Sequence, residues 1–522
     1  MRKGLHARRL VVSTAVLVLL GCGGGDGGGN AGGGVGTGSG AIPYTAGVFM
    51  ASSSLAAQCA APRSGLNPET GRRYPDVPGS VAAENHWLRS WTNELYLWYR
   101  EVPDVNPASV PTTEAYFELQ KTTATTASGN PKDRFHFTFP TEQWRLLSQS
   151  GVFAGYGAEW LIVSEQPPRR VVVAYTQPHS PAIAANLTRG AEVLAVDGVD
   201  IDTSANAGVD ALNAGLFPET AGEVHTFTVR NPGGGTRSIQ MQSANVTIEP
   251  VQNVQVLSTS TGPVGYMLFT DHFAIAEPPL VAAVQTLRNA NVTDLVLDIR
   301  YNGGGLLDIA AELAYMIAGS GPTAGRVFEA LRFNDKQTAI FAPTPFLTTT
   351  QFTTFAAALP TLNLPRVFVI TGPGTCSASE SIINGLRGVD VEVLQVGSTT
   401  CGKPYGFEPA DNCGTTYFSI QFEGDNAKGF GDYPDGFSPG NTIGAAGVRL
   451  PGCSVADDFS RALGDPQEKR LAAALQYRAS QSCPAASGFA PGMLGKLGGL
   501  SSPDQADGVM RRGPWRENRI LR

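Results

Sequence analysis

Across residues 84–100 the apolar side chains Trp87, Leu88, Trp91, Leu95 and Trp98 recur at intervals of three and four, the spacing of one helical face. An amphipathic helix is therefore predicted over 84–100, and the stretch 80–150 reads as a small, mainly helical unit. From 151 to 246 the pattern changes to short β-rich runs, among them 171–175, 192–196 and 225–229. From 247 to 483 buried strands alternate with apolar helices. A strand at 294–299 precedes a helix bearing Leu307, Leu313 and Ile317, and a strand at 367–371 precedes one through Ile382, Ile383 and Leu386. A third strand is predicted at 391–396. Strands that alternate with helices imply an α/β domain with a parallel sheet. The tail 484–522, rich in Gly, Pro and Ser, is expected to be irregular.

The N-terminus follows a different logic. Arg2, Lys3, Arg8 and Arg9 flank an apolar run at 10–20, which is short for a bilayer span and suited to the core of a signal peptide. Leu19-Leu20-Gly21-Cys22 follows, and it resembles the bacterial lipoprotein box, in which the chain is cut ahead of the cysteine and the thiol is acylated. Residues 1–21 are thus expected to be removed and Cys22 to carry lipid. Residues 22–45 form a glycine-rich tether, and several acyl chains on one residue suffice for durable membrane attachment.

Composition sharpens this reading. The 522 residues contain 62 Gly and 36 Pro without a collagen period, so the excess must lie in tethers, turns or backbone-built sites. A net charge of −7 argues against a nucleic-acid partner. Besides Cys22 there are six cysteines, with no CxxC pair to suggest a zinc ribbon. In an exported protein they permit three disulfides, and Cys401–Cys413 and Cys453–Cys483 are the locally plausible pairs.

Candidate chemistry collects after the three α/β strands. The first is followed by Arg300-Tyr301-Asn302-Gly303-Gly304-Gly305, the second by Gly372-Pro373-Gly374-Thr375-Cys376-Ser377-Ala378-Ser379-Glu380, and the third by Gly397-Ser398-Thr399-Thr400-Cys401-Gly402-Lys403-Pro404. If the strands are parallel, all three turns meet at their carboxyl ends, where α/β sites lie. Glycine turns present N–H donors to a developing oxyanion, Ser377 is expected to be an exposed, strained nucleophile, and a desolvated Lys403 can act as its base. No metal or cofactor is required. The near P-loop Gly397-x4-Gly402-Lys403 lacks the following Ser or Thr, which is Pro404. Glu380 is expected to cap or orient a loop, and His136 and His272 to be structural.

These residues resemble the C-terminal processing, or tail-specific, peptidases, which are serine endopeptidases with a Ser-Lys dyad. The family's S-A-S-E is matched by Ser377-Ala378-Ser379-Glu380, its T-x-G-K by Thr400-Cys401-Gly402-Lys403, and its D-L-R-x-N-x-G-G by the segment from Asp298 to Gly305. The resemblance implies a crotonase-like βαβ peptidase domain, with Ser377 as nucleophile, Lys403 as base and the N–H groups of Ala378 and Gly304 as oxyanion donors. One departure is Phe407, which stands where the family carries a dyad-steadying glutamine. The run from Ser180-Pro181-Ala182 to Val196-Asp197-Gly198 resembles a bacterial PDZ domain, with Gly155-Tyr156-Gly157-Ala158 in the place of its carboxylate-binding loop. The expected protein is an endopeptidase of the bacterial cell envelope, lipid-anchored and periplasm-facing, with the outer membrane favoured. Its expected partners are protein or peptide substrates with free C-termini. The alternative is a lipid-anchored peptide-binding scaffold of weak or no activity.

Overall fold

A parallel sheet, alternating in side-chain direction and buried on both faces, organises the chain. In the computed structural model, which describes residues 42–484 apart from Glu69, 165–166 and 338–342, strands run in the order Val251–Thr259, Gly262–Phe269, Asp294–Asp298, Arg366–Thr371, Glu392–Gly397, Gly452–Ser454. The first pair is antiparallel and every later pair parallel. Because side chains alternate, Leu295, Leu297, Val367 and Val369 face the helices Glu277–Asn289, Leu307–Ala318 and Ala378–Gly388. Val296, Phe368, Ile370 and Val396 face the other way, onto the helix Lys469–Ser480 and Ala174 and Tyr175 of the β-rich region.

That β-rich region is an antiparallel sheet ordered Thr236–Gln242, Val224–Arg230, Glu192–Val196, Arg170–Thr176, Ala158–Ser164, with the helix Asn206–Leu216 against it. Ala158–Ser164 is an edge strand, and Trp160 Nε1 donates to Leu216 O at 3.0 Å, tying that edge to the helix. A short helix follows Ser180 at Pro181–Ala184, capped by the Ser180 hydroxyl.

The predicted tryptophan helix forms, but it runs Val81–Leu95 and stops short of 100. Tyr96 turns extended and the Leu97 N–H pairs with Ile420 O at 2.8 Å, so a tertiary bond ends the helix that periodicity alone would continue. Trp87 and Trp91 stack at 5.4 Å in its buried face. This N-terminal unit is joined to the α/β domain by strand pairing between Phe137–Pro140 and Thr415–Phe418 and by a disulfide, Cys59–Cys413. The other disulfides are Cys376–Cys401 and Cys453–Cys483. Only the last matches the local pairing expected; Cys401 and Cys413 each bond elsewhere, because the fold brings closer partners from distant sequence.

Cys22, the signal, the tether up to residue 41 and the tail beyond Pro484 lie outside the described residues, while the last tether positions are held by the N-terminal unit, with Tyr44 Oη donating to Asp104 O at 3.0 Å. Among the described residues no helix is long and apolar enough to cross a membrane.

Candidate active site

The three turns do meet. Each leaves the carboxyl end of its parallel strand, and backbone bonds sew them together: Ile299 N–H to Ile370 O at 3.0 Å, Cys376 N–H to Asn302 O at 3.1 Å, and Cys401 N–H to Thr375 O at 3.0 Å. Hydroxyls add to the seam, with Thr375 Oγ1 donating to Ile299 O at 2.8 Å and Ser379 Oγ to Asn302 O at 3.0 Å. The third turn differs from expectation in one respect, since no helix follows it; the chain runs through Pro404 into the short strand Tyr405–Gly406.

Ser377 sits at the N-cap of Ala378–Gly388 with φ 60° and ψ −118°, a left-handed conformation that costs a non-glycine residue and persists only where neighbours over-determine it. The expected strain is present. The expected exposure is not: Ser377 is fully buried. The glycine turn packs directly against it.

Two devices hold the serine and lysine turns together. The disulfide joins Cys376, just before the serine, to Cys401, two residues before the lysine. Glu380, one turn into the helix, accepts the backbone N–H groups of both Ser377 (3.0 Å) and Lys403 (2.8 Å) on Oε2. On Oε1 it accepts Gly402 N–H at 2.9 Å and Thr400 Oγ1 at 2.5 Å. Burial pushes this carboxyl up while these donors pull it back, and burial wins. The loop-orienting role expected of Glu380 is therefore realised between the two motifs. Cys376, Glu380 and Cys401 bring their ligand atoms within 4.8 Å of one another. The two sulfurs are bonded to each other, however, and the carboxylate is already occupied by donors.

Lys403 is fully buried, its Nζ 4.8 Å from the ring centre of Phe135 and 4.4 Å from that of Phe407. A buried ammonium loses hydration, which favours the neutral amine, and ring faces partly compensate the charge. Phe407, where resemblance places a glutamine, thus forms part of the wall around the lysine. The neighbouring Arg134 guanidinium donates to Cys401 O, pinning the lysine turn from the N-terminal unit. The segment around His136 was notable in sequence for its histidine, but Arg134 and Phe135 are the residues that reach the site. His136 stacks on Phe117 at 3.7 Å with Nε2 2.9 Å from Phe117 O, a core position.

The residues expected to supply oxyanion donors are close to the serine. A Cβ placed on Gly304, whose φ is 96°, would fall 2.9 Å from both Ala378 N and Ser377 Cβ. One donor is not available as expected: Gly304 N–H is given to Asn302 Oδ1 at 3.0 Å, because that buried amide oxygen lies within the same turn.

Beneath the turn, Arg300 is fully buried and paired with Asp298, Glu468 and Asp457 at 2.8–2.9 Å. Arg189 of the β-rich region joins the same network through Asp457 at 2.6 Å and the Tyr301 hydroxyl at 2.7 Å. Removing one partner of such a cluster strands a buried charge. In the β-rich region the predicted carboxylate loop is a turn between strands: Gly155 pairs with Ala244, Tyr156 O accepts Ala182 N–H at 2.9 Å, Gly157 has φ 73°, and Ala158 opens the edge strand. The structure does not bring this loop to Ser377 through any hydrogen bond or ring contact recorded among the described residues.

Residues 263–411, which include all three turns, match the model of peptidase family S41, and residues 83–136 match the peptidase S41 N-terminal domain. The chain carries peptidase S41 family domains. It is 26% identical over 315 residues to the carboxyl-terminal-processing protease of a Picosynechococcus species, covering 58% of this chain and 69% of that protein. It is 27% identical to the chloroplastic carboxyl-terminal-processing peptidase 1 of Arabidopsis thaliana over 43% of this chain, spanning 42% of that relative's length. An S41 protease structure from Bacteroides fragilis superposes with a TM-score of 0.58 at 21% identity, over 78% of this chain and 98% of that one. Carboxyl-terminal-processing members of family S41 are serine-type peptidases, and this chain is accordingly a serine-type peptidase.

Proposed function

We propose that this peptidase cleaves protein chains by a Ser377–Lys403 dyad after capturing their C-termini on its β-rich region. The observation that carries the reading is Glu380, whose one carboxylate oxygen accepts the N–H groups of both Ser377 and Lys403. Two residues with no sequence proximity are thereby held by a single atom.

In the cycle, Ser377 Oγ attacks the substrate carbonyl carbon and Lys403 Nζ takes the serine proton. The tetrahedral oxyanion is received by the N–H groups of Ala378 and Gly304. The peptide C–N bond then breaks, Lys403 passes its proton to the leaving nitrogen, and an ester to Ser377 remains. Water, deprotonated by the same amine, hydrolyses the ester and restores the serine. Gly304 must release Asn302 Oδ1 to take part, and Ser377 must become accessible, so the fully buried arrangement reads as a resting form.

The edge strand Ala158–Ser164 supports capture. A PDZ-like module adds its ligand as an extra strand there, with the terminal carboxylate at the glycine turn Gly155-Tyr156-Gly157-Ala158. We further place the protein on the periplasmic face of a bacterial envelope through acylated Cys22, which rests on the lipoprotein-like box alone.

Incubation of wild type, Ser377→Ala and Lys403→Ala with an unfolded substrate ending in small apolar residues tests the chemistry. Cleavage by wild type alone is expected. Failure of wild type to cleave would sink the reading in favour of a peptide-binding scaffold, and cleavage surviving in Lys403→Ala would require a different base. Mass spectrometry of membrane-extracted protein is expected to find acyl mass on a chain beginning at Cys22; an unmodified N-terminus refutes anchoring.

A further inference from the structure

His272 lies outside the three motifs, yet it grips the glycine turn at several points. Its backbone N–H donates to Gly304 O at 3.2 Å and its carbonyl accepts Leu306 N–H at 2.9 Å, so main chain on both sides of Gly305 is fixed. Its side chain, fully buried, places Nδ1 2.9 Å from Asn302 Oδ1, the same oxygen that receives Gly304 N–H. The Asn302 amide orientation is set by its nitrogen, which donates to Phe269 O at 3.1 Å. Oδ1 is therefore an acceptor only, and the His272 proton resides on Nδ1, leaving Nε2 without a partner among the described residues. Burial lowers the imidazole to about 3, so the ring is neutral at working pH.

Asn302 Oδ1 thus holds two donors at rest. If Gly304 turns its N–H to a substrate oxyanion, an amide oxygen with no other donor would be stranded in a dry site, at a cost that opposes the reaction. We propose that His272 is a positioning residue of the oxyanion site, whose Nδ1–H keeps Asn302 Oδ1 satisfied while Gly304 N–H is released to the transition state. The imidazole donates throughout and touches neither substrate nor serine. This inference rests on the reading of Gly304 as an oxyanion donor.

The two histidine nitrogens allow a stereochemical test, because an asparagine amide nitrogen falls near the Nδ1 position and a glutamine nitrogen near Nε2. His272→Phe and His272→Gln are expected to lower kcat about 10- to 100-fold with KM little changed, since the interaction matters in the transition state. His272→Asn is expected to recover at least tenfold of that loss. A peptide boronate, which mimics the tetrahedral adduct, is expected to lose affinity in the Phe and Gln variants in parallel with kcat. Affinity for an uncleaved peptide, measured in the Ser377→Ala background, is expected to hold. Wild-type kcat in His272→Phe, or equal losses in the Asn, Gln and Phe variants, overturns the proposal and leaves His272 a packing residue. If His272→Phe does not fold, the Asn and Gln pair carries the comparison. Loss of all cleavage in wild type itself overturns the peptidase reading and this inference with it. A normal wild type beside a normal His272→Phe overturns this inference alone.

Discussion

Ser377 and Gly157 both stand at positive φ, 60° and 73°, at the threshold of an element assigned a substrate-handling role. The serine pays for that conformation, of order 1–3 kcal/mol, and is surrounded by restraints that enforce it: a disulfide at the preceding residue, a carboxylate on its N–H, and complete burial. The glycine reaches its conformation without side-chain strain, and the strand that follows it is a sheet edge. The contrast teaches that the proposed reacting atom is over-determined, whereas the proposed strand-receiving site relies on glycine and a sheet edge.

The comparison breaks most severely at the reacting groups. Ser377→Ala and Lys403→Ala are each expected to reduce kcat by at least about 10³-fold with unfolding midpoints near that of wild type, measured by peptide cleavage and calorimetry. A smaller loss would show that another group supplies the chemistry.

Next is the covalent clamp. In the double variant Cys376→Ala/Cys401→Ala, activity is expected to fall about tenfold or more and stability by about 3 kcal/mol, the loop-closure value for a ring of this size. Denaturant unfolding and initial rates measured side by side decide the matter. Lost stability with intact kcat would mean that the disulfide braces the fold without aligning the dyad.

The receiving edge is expected to respond differently. Gly157→Ala forces a Cβ to 2.3 Å from Ser180 Cβ at an unfavourable φ. KM for a substrate with a free C-terminus should rise about tenfold, while kcat, and KM for a C-terminally amidated substrate, change little. A fall in kcat instead would couple the two regions and erase the distinction drawn between them.

The smallest effect belongs to a buried carboxyl outside both. Burial, reinforced by the neighbouring Glu277 carboxylate, raises Glu312 from 4.5 to about 9, so the folded state holds a proton that the unfolded state releases. That stabilisation is complete below about pH 4.5 and is lost as pH rises through about 9. Glu312→Gln is therefore expected to gain Tm relative to wild type progressively from pH 5 to pH 9. A pH-independent difference would place the proton elsewhere.

What could be read from sequence was what neighbours in sequence control. Strand periodicity at 294–299 and 367–371 yielded the parallel sheet, and three glycine turns at strand ends yielded the meeting of the serine and lysine turns. What could not be read depended on distant partners. Ile420 ends the tryptophan helix early, Arg134 reaches Cys401, and Cys59 bonds Cys413; none of these contacts has a periodic signature. The burial of Ser377 and the engagement of Gly304 N–H were invisible for the same reason, since both depend on how turns distant in sequence pack together. His272 had no motif to mark it. Its signal was only its position, three residues beyond a buried strand that pairs with the first motif's strand.

The Cys59–Cys413 bond constrains how the chain can be manufactured. Its cysteines are separated by 354 residues, and Cys376 and Cys401 emerge before the correct partner does. With Cys22 acylated, an oxidase that joined the remaining thiols in order of appearance would link Cys59 to Cys376, leaving the serine turn tied to the wrong part of the molecule. Correct maturation therefore calls for a thiol that waits or a disulfide isomerase that reshuffles. In recombinant production, the yield of active enzyme should follow isomerase capacity more closely than the quantity of chain made.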